Sequence, residues 1–325
     1  MELFEGLKSQ IDGKNIKIVF PEGVDPRILG AAQRLKKEGL IVPVLLGDVE
    51  KVNAVAKENG FDIEGIEVIE PAKHPEYDSI CDAFVERRKG KATKEDALKM
   101  LQNENYFGTM LTFLGKVDGM VSGAIHSTGD TVRPALQIVK TKPGVSRTSG
   151  AFVMIGQDGT RYLFADCAIN IRLNDQEMAE VAVESAKTAK IFGIDPKVAM
   201  LSFSTMGSAK AEEATKVQNA TKIARELAPE LEIEGEIQFD AAIVPSVGQQ
   251  KAPGSKVAGY ANTFIFPSLE AGNIGYKIAQ RLGKFEAIGP ILQGLNKPIS
   301  DLSRGCNEED VYKLSIITAA QSLSE

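Results

Sequence analysis

The chain has 325 residues, 44 acidic against 38 basic, for a net charge of −6; this balance argues against a nucleic-acid partner while leaving room for a local basic pocket. With 43% hydrophobic and 25% charged residues, the composition is that of an ordinary globular protein, and it excludes disorder, collagen and coiled coil. At ~150 residues per domain the length points to two domains.

Ile16–Pro21 (IKIVFP) predicts a buried strand, and Asp25–Gly39 a helix with Asp25 as cap, Pro26 at its first position and Gly39 at its end. Ile41–Leu46 predicts the next strand, residues 48–59 a helix closing at Gly60, and residues 66–69 a third strand. A helical stretch over 75–116 is expected to break near Gly90 and Gly108, and Val117–His126 to run as a strand into a turn before a helix over Thr131–Val139. Lys140–Arg147 (KTKPGVSR) mixes charge, Pro and Gly and marks a domain crossing. Beyond it, Ala151–Ile155 and Tyr162–Ala165 predict a hairpin around Gln157–Gly159. Helix 175–192, strand 198–204, helix 208–227, strands 236–244 and 262–266, and helix 269–282 follow. Pro290–Pro298 is a second Gly/Pro crossing, and Asn307–Ser322 is the last helix. This alternation predicts an α/β fold of two domains with mainly parallel sheets. The first is discontinuous, 1–143 plus 297–325, because so short a tail cannot build a core alone; the second is 144–296.

Cys81, Cys167 and Cys306 lie far apart and are odd in number, which fits a reduced, cytoplasmic protein. MELFEGLKSQIDGK has no apolar core segment, so no signal peptide is expected, and no run approaches the ~18 apolar residues of a membrane span.

Absent motifs narrow the chemistry. There is no GxxxxGK[ST] and no G-x-G, so neither a P-loop nor a dinucleotide fingerprint is available. The two histidines, His74 and His126, have no HExxH or CxxC company, which argues against a zinc site, and no GxSxG elbow suggests a hydrolase. Carboxylates, hydroxyls and arginines remain.

Three segments could carry chemistry. In VSGAIHSTGDTVRP (121–134), Ser127, Thr128, Thr131, Arg133 and the amides at a helix start are what a phosphate dianion needs. Charge-assisted bonds of this kind contribute on the order of 1.5–3 kcal/mol each, so two or three give millimolar or better affinity. Ser127–Thr131 could equally be a plain helix cap. In PISDLSRGCNEEDVY (298–312), Ser303, Arg304 and Gly305 can bring a guanidinium and bare backbone to an anion, with Asp310 as a candidate base. Asn307 with Asp310 is also the pattern of a capping box. AGNIGY (271–276) offers amides and the Tyr276 phenol, or simply small residues for helix–sheet packing. His126 reads as a structural hydrogen-bonder, and the cysteines as small buried residues.

SGAIHSTGDTVRP, ADCAIN, GNIGYK and LSRGCNEEDV, in that order over the whole chain, resemble the phosphate acetyltransferases in their short, single-module form. The resemblance implies two α/β domains around a cleft, related to the isocitrate/isopropylmalate dehydrogenase fold, and a homodimer acting in acetate metabolism. It implies reversible transfer of acetyl between coenzyme A and phosphate in a ternary complex, by direct thiolate attack. It implies no metal and no cofactor, coenzyme A being a substrate; the charge balance and the lack of a long apolar run already argue against nucleic-acid and membrane partners. By the same resemblance Asp310 is the base that takes the thiol proton, with Ser303 and Arg304 beside it. Ser127, Thr128, Arg133 and Tyr276 then grip acetyl phosphate, with Thr131 added from the residue pattern of the same turn, and Arg87 stands near the coenzyme A phosphates. The alternatives are a phosphate butyryltransferase-like enzyme, a metal-dependent decarboxylating dehydrogenase of the related fold, and an inactive two-domain anion binder.

Overall fold

The computed structural model describes residues 2–323. It divides into two compact units, Met1–Lys140 with Leu295–Glu325, and Thr141–Gly294. Among the described residues the strands are, in chain order, β1 (Lys17–Phe20), β2 (Val42–Leu46), β3 (Glu67–Ile69), β4 (Gly119–Ser122), β5 (Ser149–Ile155), β6 (Arg161–Ala165), β7 (Lys197–Leu201), β8 (Glu232–Ile237), β9 (Thr263–Ile265), β10 (Glu286–Gln293) and β11 (Ile299–Asp301).

In the first unit the strand order is β11-β4-β1-β2-β3, and every pairing is parallel. Ile18, Val19 and Phe20 are fully buried, as an apolar run must be when helices cover both faces of a parallel sheet. Sequence order reverses at β1, with β2 and β3 on one side and β4 on the other. That is a topological switch point, and in such sheets ligands bind beyond the carboxyl ends of the strands, where the loops part. Those ends carry Glu22 after β1, Gly123–His126 after β4 and Leu302–Arg304 after β11.

The last helix, Glu308–Ser322, is buried almost all round, with Val311, Tyr312, Leu314, Ile316 and Ile317 in the core. Each such aliphatic side chain is worth about 1.5–3 kcal/mol of burial, which holds the tail in this unit. β11 is a strand the sequence reading missed; at three residues it is too short to show periodicity.

The second unit has a mixed sheet, β10-β5-β6-β9-β7-β8. β5 pairs antiparallel with both β6 and β10, and β6, β9, β7 and β8 are mutually parallel. The hairpin 151–165 forms as expected.

Four expectations need correction. Residues 236–244 are not a strand: β8 ends at Ile237, and Phe239–Ile243 is a short helix with Ala241 and Ala242 buried. A short apolar run cannot be assigned to strand or buried helix by periodicity alone. Gly108 does not break a helix but lies inside Glu104–Phe113, where a Cβ would meet Met120 Sδ at 3.0 Å. The glycine lets helix and sheet approach closely, and the break comes at Asn103, whose side chain caps the helix. The helix after β4 begins at Thr128 and, past Pro134, continues as a π-turn over Ala135–Val139. Finally, β10 runs through Pro290, with an irregular register between Ile288 and Ile291; proline is tolerated in a strand at such places.

Candidate functional site

At the switch point a buried carboxylate organises the backbone. Glu22 Oε2 accepts the N–H groups of Gly123 (3.1 Å) and Ala124 (2.7 Å). Oε1 accepts those of Ile125 (2.8 Å) and His126 (2.9 Å) and pairs with His126 Nδ1 at 2.8 Å. Burial pushes the Glu22 carboxyl up, but the bonds from His126, Ile125 and Ala124 outweigh it and hold the group below its ordinary value. Four of the amides in the SGAIH turn are therefore filled by a side chain of the protein itself.

The next turn begins the helix Thr128–Pro134. Ser127 donates its hydroxyl to Asp130 Oδ2 at 2.7 Å and its N–H to the same oxygen at 3.2 Å. Asp130 and Thr131 N–H both donate to Ser127 O. The capping reading of this segment is thus realised, with the Thr128 and Gly129 amides outside that network. The side chains of Thr128 and Arg133 are exposed, and Arg133 folds back so that Nη2 lies 3.9 Å from the place a Cβ would take on Gly129. Thr131, expected among the substrate-contacting hydroxyls, is fully buried, and its Oγ1 has no hydrogen-bond partner among the described residues. It stands with Thr128 near Asp301, the last residue of β11. Burial pushes the Asp301 carboxyl up to about 6.

The loop after β11 carries Ser303, Arg304 and Gly305 exposed. Ser303 Oγ accepts Gly305 N–H at 3.2 Å, and Ser303 O accepts Cys306 N–H at 2.9 Å. Asn307 caps the last helix: its Oδ1 accepts Asp310 N–H at 2.9 Å, while Asp310 Oδ2 accepts Asn307 N–H at 2.9 Å. Asp310 is exposed, and its charge is felt at the Cys306 thiol. Glu309 is paired with Arg34, and Glu308 lies against Gly30.

The two loops are tied together by a residue the sequence reading passed over. Arg27 Nη1 donates to the carbonyls of Arg304 and Cys306 at 2.9 Å each, and Nη2 to Ala124 O at 2.7 Å. Asp25 holds the guanidinium bidentately, with Nε at 2.9 Å and Nη2 at 2.8 Å, and raises its pKa. Asp25 also caps the helix as predicted. The local signal for Arg27 is its place in the first turn of the helix that Asp25 caps, directly after the buried strand β1.

Two predicted residues are not part of these loops. Arg87 donates to the carbonyls of Ile138 and Val139 and covers the Phe113 ring at 4.6 Å. It closes the C-terminal end of the π-turn, and the structure does not bring it to the loops above. Tyr276 belongs to the second unit, on the helix Leu269–Arg281, where it stacks on Phe152 at 4.0 Å. In that unit ADCAIN has its own organising carboxylate: Asp166, buried, accepts the N–H groups of Gly150, Ala168, Ile169 and Asn170. Cys167 beside it is buried, and its thiol is pushed up by burial and by Asp166. Cys306 is likewise raised by burial, against Arg27. Neither thiol is in the state of an activated nucleophile. Among the described residues no group of three or more His, Cys, Asp or Glu could hold a metal ion.

A phosphate acetyl/butaryl transferase family model matches residues 2–319. The chain belongs to that family. It is therefore an acyltransferase. A phosphate acetyltransferase of Staphylococcus epidermidis is 61% identical over 99% of both chains. A solved phosphotransacetylase of Streptococcus pyogenes is 62% identical, with a TM-score of 0.98 over 100% of this chain and 99% of that one. A branched-chain phosphotransacylase of Enterococcus faecalis shares the fold, at 18% identity and a TM-score of 0.67 over 94% of this chain and 99% of that one.

Proposed function

We propose that this family member is a phosphate acetyltransferase, catalysing acetyl-CoA + phosphate = CoA + acetyl phosphate. The observation that carries the reading within this chain is that Arg27 joins the LSRGC loop, at the carbonyls of Arg304 and Cys306, to the SGAIH turn at Ala124 O, from which STGDT-x-RP continues. In the direction of acetyl-CoA synthesis, Asp310 takes the thiol proton while sulfur attacks the acetyl carbonyl. The C–S bond forms, the acetyl C–O bond breaks, and phosphate leaves. Arg304 and Ser303 face the developing oxyanion, and Arg133, Thr128 and the Thr128 and Gly129 amides hold the phosphoryl oxygens, with Ser127, whose two donors go to Asp130, assigned to the phosphate by resemblance alone. Tyr276 is assigned to the substrate and Arg87 to the coenzyme A phosphates by resemblance alone. Coenzyme A is a substrate, and no bound cofactor takes part. Transfer is direct, and the raised, buried Cys167 and Cys306 thiols support a mechanism without an acetyl-enzyme.

A thiol-release assay with acetyl-CoA and phosphate tests the reading, and absence of release sinks it. Rates with propionyl- and butyryl-CoA place the acyl preference, each methylene being worth ~1–3 kcal/mol; butyryl-CoA outrunning acetyl-CoA would favour the larger-acyl alternative. Arg133→Ala raises the KM for phosphate about tenfold or more, the loss of a charge-assisted bond, with a smaller effect on the KM for acetyl-CoA. An unchanged phosphate KM removes Arg133 from the site.

We also propose a cytoplasmic homodimer. Three unpaired cysteines support the compartment, and no helix among the described residues is long and apolar enough to cross a membrane. For the dimer, the second unit presents Ile274, Ile278 and Leu282, 57%, 52% and 79% exposed, as one stripe on the helix Leu269–Arg281 and its cap. Ile278 also lines an apolar cavity of about 480 Å³ with Phe164, Phe239 and Phe266. Contiguous apolar surface of this kind marks an interaction site. Ile278→Asp with Leu282→Asp halves the mass seen by light scattering; a wild-type mass equal to one chain overturns the dimer.

A further inference from the structure

The Glu22–His126 pair does more than hold a turn. A carboxylate offers about four lone-pair sites, and the N–H groups of Gly123, Ala124, Ile125 and His126 already supply four donors to Glu22. The imidazole at 2.8 Å is a fifth donor, surplus to the satisfaction of that carboxylate. Its effect is on the histidine: Nδ1 is committed to Glu22, so the ring is fixed and Nε2 is its remaining polar atom. The side chain is 28% exposed against 0% for Glu22, and it directly precedes the exposed turn of Thr128. Glu22 raises the His126 pKa first and burial opposes it, while Asp130 and Glu104 add to the rise. Asp130 comes from the following helix and Glu104 from the helix Glu104–Phe113; the cations nearby are Arg27, which holds Ala124 O, and Arg133 over the turn.

We infer that His126, oriented by Glu22, is a further anion-binding residue of the acetyl-transfer site, donating from Nε2 to a phosphoryl oxygen of phosphate or acetyl phosphate. The inference rests on the transferase reading and extends it to a histidine that the motif comparison leaves without a role. As imidazolium it supplies a charged donor besides Arg133, its own charge balanced by the Glu22 carboxylate behind it. Asp130, a third charge at this turn, is bonded to Ser127.

The chain has two histidines, so His126 can be followed by NMR through its ring Cε1–H, assigned by its loss in His126→Gln. Saturating inorganic phosphate moves the His126 midpoint up by about one unit, which by linkage means roughly tenfold tighter binding of phosphate to the imidazolium form. A midpoint that stays put in an enzyme that turns over overturns the inference. The shift is read without turnover, so its failure is distinguishable from failure of the transferase reading, which the thiol-release assay reports. In kinetics, His126→Gln raises the phosphate KM about tenfold below the midpoint and converges on wild type above it. The ratio of the two enzymes cancels the titration of phosphate itself. A ratio constant with pH means that His126 only props the turn, and it overturns the inference as well.

Discussion

Asp310→Asn lowers kcat by about 10²–10⁴-fold with little change in either KM, the size of effect that removing a general base produces. The substitution separates two roles that the geometry superimposes. Asp310 Oδ2 accepts the N–H of Asn307, and Asn307 Oδ1 accepts that of Asp310; this is the complete capping box. An asparagine side chain keeps an oxygen for that bond, so the helix start loses only a few tenths to ~1 kcal/mol. It cannot take a proton. The chemistry needs one taken, since a free thiol and an ordinary carboxylic acid differ by about 4.6 pKa units, which makes stepwise transfer uphill by about 6 kcal/mol. In the proposed mechanism removal of the proton runs together with attack at the carbonyl. A preserved unfolding midpoint with kcat reduced in both directions is the expected pair of results. An unchanged kcat would leave Asp310 as a cap and nothing more, and the base would have to be sought elsewhere in the LSRGC loop.

What could be read from the sequence follows the range of the interactions involved. Ile16–Pro21, Asp25–Gly39 and residues 48–60 were legible because strand, cap and stop are all local: an apolar run, Asp25 with Pro26, and Gly60 in the left-handed conformation at φ 71°. The loops that carry the candidate chemistry were legible as motifs, because hydroxyls, glycine and arginine cluster within a few residues. Their mutual placement was not. Glu22 is one acid after a strand, and its partners lie about a hundred residues on, at 123–126. Arg27 binds carbonyls at 304 and 306. Neither periodicity nor spacing reports a contact of that separation; it appears only once β1, β4 and β11 lie side by side. The same limit explains Thr131. It belongs to the STGDT motif by sequence, yet the helix turns it inward beside Asp301, so a residue that looked like a ligand to phosphate is part of the core.

Glu22→Ala destabilises the first unit by about 3–5 kcal/mol near pH 6, the range expected when one partner of a buried, hydrogen-bonded charge is removed. Four backbone N–H groups and the His126 ring lose their acceptor together, and Gly123 and Ala124 are too deeply buried for water to replace it fully. The loss depends on pH in a way that identifies its cause. Glu22 is depressed below its ordinary 4.5, so its contribution is present above that value and fades as pH falls through the folded pKa. His126 is raised above its ordinary 6.5, so its contribution is present below that value and fades as pH rises through the folded pKa. The stability difference between wild type and variant therefore peaks between the two ranges and narrows on either side. Glu22→Gln keeps one accepting oxygen but turns an NH₂ toward the amide donors, so it falls between wild type and alanine and loses the pH dependence. Hydrogen exchange gives the local view: the amides of residues 123–126 are protected in wild type and exchange fast in Glu22→Ala, even where the rest of the unit keeps its protection. Equal protection in both proteins, or a stability difference that is flat from pH 4 to pH 8, would mean that the turn stands without its carboxylate. The His126 ring would then have no fixed direction from which to meet a phosphoryl oxygen.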